Sequence, residues 1–346
     1  MNNTSAIVRF CASALCVALF LTYTSFKGLS NSDNNIISAQ AVIPSNLNEN
    51  TSNASDTQGS VAQTVETPTD NNNTQSVAAA ASGVVQGSVI EKFISPYTAN
   101  TSYENVYLKN NTELDISLKD FVNGKLDFNI EKNGEPQVLI LHTHATESYL
   151  THNENYYTDT DSARTTNNEY NMVALGKIIS DSLNEAGIVT IHDTTQHDYP
   201  SYSESYSRAA NTICNYIEKY PSIKIVIDLH RDAIAENDTD KVKLTTEVDG
   251  KKAAQIMLVM GSQSGNVTNF PNWRENLKLA AKLQQTIETM YPTLARSIHF
   301  MSKNYNESLT TGSMLIEIGT DGNTLEEAKY SASLLSNALI SLLNTI

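Results

Sequence analysis

The chain has 346 residues with 38 acidic side chains against 23 basic ones, a formal charge of −15. Such a balance excludes nucleic acid and anionic lipid as the main partner, since both require a basic surface, and it suits a neutral or zwitterionic substrate. Cys11 and Cys16 lie in an apolar N-terminal segment and Cys214 stands alone downstream, which excludes an intradomain disulfide framework and a thiolate zinc cluster.

Ala6 to Phe26 is apolar apart from Arg9 and a few hydroxyls, and no charge falls between Phe10 and Phe26. That length is close to the roughly 17–25 residues a membrane-spanning helix requires. Only Arg9 precedes the apolar core, and Tyr23, Thr24, Ser25 and Phe26 make a poor cleavage site, so residues 1–27 read as a retained signal-anchor with the bulk of the chain outside the cell membrane. Arg9 on the short side agrees with the positive-inside rule, while Lys27 works against it. Residues 28–89 are dominated by Asn, Ser, Thr, Ala, Gln, Asp and Val. They offer too little apolar surface to offset ordering entropy and read as a disordered tether, whose reach grows with the square root of its length.

Residues 90–133 carry alternating apolar positions, Val106 and Leu108, then Leu114, Ile116 and Leu118, then Leu126, Phe128 and Ile130. This predicts edge strands or a strand-rich N-terminal extension. Residues 134–346 alternate short buried strands with amphipathic helices. Val138 to Leu141 is a strand running directly into His142, Thr143, His144 and, three residues later, Glu147. A helix follows from about Tyr170 to Ala186, closed by Gly187, then a strand from Ile188 to His192 and a polar, tyrosine-rich loop from His197 to Tyr206. Ser207 to Tyr220 reads as a helix, and Ile223 to Leu229 as a second buried strand, which ends on His230. Strand Gln255 to Met260, helix Trp273 to Met290, strand Ser313 to Ile318 and helix Thr324 to Ile340 complete the pattern. The fold class is therefore α/β, with a largely parallel sheet flanked by helices.

Histidines and carboxylates at strand ends point to a metal. Catalytic zinc commonly takes two His and one Glu and leaves a fourth position open. His144, Glu147 and His230 supply that set, and Glu317, embedded among Leu315, Ile316 and Ile318, is placed as the carboxylate that moves protons. His142 is an alternative ligand, or stands behind the ligands or facing substrate, and Glu169 could replace Glu147. Asp232 is a candidate for orienting an imidazole and Arg231 for binding a substrate carboxylate. His152, His192, His197 and His299 read as structural or surface residues.

Five segments in register, HTHATESY, HDTTQHDYPSY, IDLHRDA, NWRENLKLA and LIEIGTDGNTLEEA, resemble the stage II sporulation protein P family, over roughly Tyr103 to the C-terminus. The resemblance implies a zinc-dependent N-acetylmuramoyl-L-alanine amidase, with an amidase- or carboxypeptidase-like catalytic domain, that is also credited with cutting stem-peptide cross-links. It further implies a single-pass protein of the mother-cell membrane facing the septal space, acting on peptidoglycan in septal thinning and engulfment beside stage II sporulation proteins D and M. The family's metal and catalytic positions would fall on the His142/His144 and Glu147 motif, His230 and Glu317. Two other readings share the features: a non-catalytic wall-binding module, and a zinc carboxypeptidase on free peptides.

Overall fold

The computed structural model describes residues 83–346. The expected signal-anchor and nearly all of the expected tether lie outside the described residues, among which no helix is long and apolar enough to cross a membrane. In chain order the strands are β1 (Val85–Lys92), β2 (Thr101–Tyr103), β3 (Val106–Asn110), β4 (Val138–Leu141), β5 (Tyr156–Thr158), β6 (Thr190–His192), β7 (Ile225–Asp232), β8 (Lys241–Val248), β9 (Lys251–Ala254), β10 (Ile256–Gly261), β11 (Ile298–Met301) and β12 (Ser313–Thr320). The α-helices are α1 (Leu118–Asn123), α2 (Met172–Glu185), α3 (Ser205–Lys219), α4 (Trp273–Met290) and α5 (Leu325–Leu343).

A large mixed sheet has the order β2-β3-β11-β10-β12-β7-β4-β6, and a smaller one the order β5-β1-β8-β9. In the large sheet the pairs β3–β11, β10–β11, β7–β12, β4–β7 and β4–β6 run parallel, while β2–β3 and β10–β12 are antiparallel. Alternation along the strands sorts side chains between two faces. Val138, Ile140, Ile227, Leu229, Leu258, Ile316 and Ile318 join residues of α2, α4 and α5 in the main core. Leu139, Leu141 and Val226 point the other way and pack on Ala209, Ile213 and Ile217 of α3. Asp228 and His230 continue this second face along β7, in register with Leu315 and Glu317 of β12. Because β4, β7 and β12 are mutually parallel, their carboxyl ends lie together, where open α/β sheets place ligands. Just past Glu317 the β7–β12 register shifts, and Gly319 sits at φ +62°, a left-handed conformation that glycine adopts without Cβ strain.

Three expectations differ. The alternation through Leu118 continues not as a strand but as α1, whose Leu118, Phe121 and Val122 are buried, and Leu126, Phe128 and Ile130 pack on the core without pairing in a sheet. β2 and β3 do not stand apart as an extension: β3 pairs with β11 and makes them an edge of the large sheet. β1 begins at Val85, inside the last residues read as tether, and holds the smaller sheet together between β5 and β8.

Candidate metal centre

The turn after β4 builds the first half of the site. The Glu147 amide donates to the His144 carbonyl at 3.2 Å, closing a turn that brings the two side chains together, His144 Nδ1 lying 3.5 Å from Glu147 Oε1. β7 supplies the second half: His230 Nδ1 is 3.6 Å from Glu147 Oε2. One donor atom from each of His144, Glu147 and His230 lies within 4.8 Å of the others. All three residues are buried, and the Nε2 atoms of both histidines are buried without a hydrogen-bond partner. Buried polar groups are rarely left unsatisfied, so two imidazoles and a carboxylate that converge, with His144 Nε2 left unpartnered, fit a divalent cation of borderline softness such as zinc.

Charge is arranged around this trio. Burial works to raise Glu147, but the imidazoles of His144 and His230 and the charge of Arg231 outweigh it and hold the carboxyl well below its ordinary range. Burial works to lower His230, but the Asp228 carboxylate and Glu147 raise it well above the ordinary histidine value. Asp228 Oδ1 stands 2.9 Å from His230 Nε2, close enough to pair electrostatically though not aligned as a hydrogen bond. Asp228 is itself fixed by Thr143, whose amide donates to Oδ1 at 2.8 Å and whose hydroxyl donates to Oδ2 at 2.6 Å. The middle residue of the His-Thr-His motif thus holds the carboxylate that faces the other histidine.

Glu317 lies beside His230 on the neighbouring strand, in register with it. Its Oε2 is buried without a partner. Burial and the carboxylates of Asp232 and Glu147, partly offset by His230 and Arg296, push it up to about 8.

His142 is kept apart from the trio. Its Nδ1 donates to the Leu229 carbonyl at 3.1 Å, leaving Nε2 to accept from His192 Nε2 at 2.8 Å. Burial and the neighbouring His192 push His142 down to about 3, and burial, only partly offset by Asp193 and Asp181, pushes His192 down to about 4. The turn at Thr143 ends the strand alternation that would have put His142 and His144 on one face. Glu169 is exposed, away from the cluster. The Arg231 guanidinium donates to the carbonyls of Ser148 and Ala163, each at 2.6 Å, and to that of Asp232 at 3.2 Å, while its amide donates to Glu147 Oε2 at 3.2 Å. It anchors the turn behind Glu147 instead of presenting charge to a substrate carboxylate. Asp232 reaches no imidazole: it accepts from Arg296 Nη1 at 2.8 Å, and the carboxylate that faces a histidine is Asp228.

Sequence reasoning missed the aromatic wall. The Tyr202 ring stacks on His144 at 4.6 Å and 21°, and Tyr206 meets His144 edge-on at 5.5 Å and lies near-parallel to His230 at 6.4 Å. Arg164 lies over Tyr202 at 4.9 Å, donates to Asp198 Oδ2 at 2.6 Å and reaches Glu147 Oε1 at 3.4 Å. Asp198 also accepts from the Thr146 hydroxyl at 2.6 Å. Arg164 and the polar, tyrosine-rich loop from His197 to Tyr206 therefore lie against the centre.

The family model described as stage II sporulation protein P matches residues 21–340 of this chain. The chain belongs to that family. Stage II sporulation protein P of Bacillus subtilis (strain 168) is 30% identical over 207 residues, covering 57% of this family member and 48% of the relative, so the chain spans about half the length of the curated relative it matches. Among solved structures, an N-acetylmuramoyl-L-alanine amidase from Clostridium difficile 630 is similar at 16% identity and a TM-score of 0.37, over 62% of this chain and 97% of that one. Another, from Nostoc punctiforme, is similar at 12% identity and a TM-score of 0.37, over 61% of this chain and 97% of that one.

Proposed function

We propose that this protein is a zinc-dependent N-acetylmuramoyl-L-alanine amidase that cleaves the amide between N-acetylmuramic acid and the L-Ala of the peptidoglycan stem peptide. The observation that carries the reading is the buried His144, Glu147 and His230 trio, the His144 Nε2 atom without a partner, with Glu317 alongside in register with His230. A zinc ion held by these three residues would supply a Lewis acid and lower the pKa of water to about 7.

The chain's own residues do the rest. Asp228 and Arg231 fix His230 and Glu147 from behind. Glu317, half-buried with its Oε2 shielded from solvent and its carboxyl raised to about 8, accepts the proton of the attacking water as the oxygen–carbon bond forms, then delivers it to the amide nitrogen as the carbon–nitrogen bond breaks. The products are a muramic carboxylate and a stem peptide with a free amino terminus. The reading extends to possible cutting of stem-peptide cross-links and to a role in sporulation septal thinning and engulfment. It also includes attachment to the cell membrane by residues 1–27, facing the septal space, with stage II sporulation proteins D and M as partners; these extensions rest on what the sequence resemblance implies.

The test is mass spectrometry of the products that the zinc-loaded protein makes from defined muropeptides. Release of intact stem peptides from unchanged glycan is expected, with Glu317→Gln retaining zinc and losing turnover. Release of single amino acids instead would place the protein among carboxypeptidases, and wall binding without any cleavage would reduce it to a binding module.

A further inference from the structure

The Tyr206 ring stands against both histidines of the candidate centre, and its hydroxyl donates to no group among the described residues. Buried tyrosine hydroxyls usually find a partner: the buried Tyr149 donates to the Ile318 carbonyl at 2.7 Å, and the half-buried Tyr216 and Tyr330 donate to Asp193 at 3.1 Å and to the Val248 carbonyl at 3.0 Å. Among the described residues none accepts from Tyr206, although its half-buried ring leans on the rings of both His144 and His230. The groups that act on its hydroxyl are Asp228, Glu317, Tyr305 and Glu147. These include the proton carrier and one candidate zinc ligand. The ring is held firmly. Tyr206 opens α3, whose apolar face packs on β4 and β7, and its carbonyl accepts from Asn306 Nδ2 at 2.8 Å.

Resting on the amidase reading, we propose that Tyr206 is a catalytic residue, its hydroxyl donating a hydrogen bond to the oxygen of the scissile N-acyl amide as negative charge collects there. When Glu317 takes the water proton and the oxygen–carbon bond forms, the carbonyl oxygen becomes an oxyanion. The phenol stabilises it and keeps its own proton throughout. When the carbon–nitrogen bond breaks, the oxyanion's electron pair re-forms the carbonyl and the nitrogen leaves with the bonding pair, taking the proton from Glu317. A fixed donor aimed at developing charge in a partly dry site is an effective form of electrostatic stabilisation. The cationic donors nearby are already engaged: Arg164 with Asp198 and Glu147, Arg231 with backbone carbonyls, and Arg296 with Asp232. Tyr202 stacks on His144 alone and lies nearer solvent, and Tyr305 touches neither ligand ring.

Tyr206→Phe keeps the ring and removes only the hydroxyl. In the zinc-loaded full-length protein acting on a defined muropeptide, kcat should fall by about 10²–10³ with KM, bound zinc and melting temperature unchanged. Affinity for a phosphinate isostere of the amide, a stable tetrahedral mimic, should weaken by a similar factor. Unchanged kcat and phosphinate affinity in an otherwise active protein would overturn the Tyr206 role and leave the amidase reading standing. Loss of zinc or a lower melting temperature in the variant would show a structural role and overturn it too. A wild-type protein that releases no stem peptide removes both.

Discussion

Asp228 shows how little of a metal site is its ligands. It touches no cation position itself, yet it faces His230 and is clamped by both the amide and the hydroxyl of Thr143. Carboxylates behind a ligating histidine fix the ring and raise its basicity. Asp228→Asn should therefore weaken zinc binding by about 10–100-fold, measured by competition with a chromogenic chelator, while circular dichroism shows the fold intact. That His144, Glu147 and His230 come together was legible in the sequence because the pattern is local: H-x-x-E needs one turn, and His230 lies near the end of a buried strand. Asp228 was legible in principle, since in IDLH it sits two residues before His230 and strand alternation puts both on one face. Tyr202 and Tyr206 carried no such signal, because what they touch is fixed by how a polar loop lies across two strands distant in the chain.

At the scale of elements, α2 is shaped by the histidines it covers. A Cβ on Gly176 would fall 2.6 Å from His142 Nε2 and 2.5 Å from His192 Nε2. Ala is the better helix former by about 1 kcal/mol, but overpacking a tight core costs about 1–3 kcal/mol, and the clash is with the fully buried His142 ring and the half-buried His192 bonded to it. Gly176→Ala should lower the urea midpoint with little change in slope; an unchanged or higher midpoint would show that the histidine pair yields. The long helices were readable from their 3.6-residue period. The β8–β9 hairpin was not foreseen, although Asp249 and Gly250, both at positive φ, form the kind of Asp-Gly turn that joins such strands. Its strands carry Lys, Thr and Glu at many positions, which blurred the alternation. The Leu114–Leu118 alternation misled because a pattern of five residues fits a strand or the approach to a short helix equally well.

For the molecule as a whole, Glu317 ties stability to pH. Its value is about 8 in the fold against an ordinary 4.5, so the folded state holds this proton more tightly than the unfolded chain does. The stabilisation due to the neutral carboxyl is complete below about 4.5 and is lost as pH rises to about 8. Gln cannot ionise. In zinc-free protein the stability of Glu317→Gln relative to wild type should accordingly climb across that window and level off above it, as read from denaturation midpoints in a pH series; a flat difference would mean that Glu317 is not desolvated as described.

The strand order carries one more consequence, for timing. His144, His230 and Glu317 come from strands that enter the chain far apart, and β12, the last strand among the described residues, is inserted between β10 and β7 near the middle of the large sheet. Until that strand is delivered, β7 and β10 have no common neighbour and the proton carrier is missing from beside His230. Among the described residues the candidate centre is therefore complete only once Ser313–Thr320 is seated between β10 and β7, so the proposed activity would trail synthesis of every other strand that builds it.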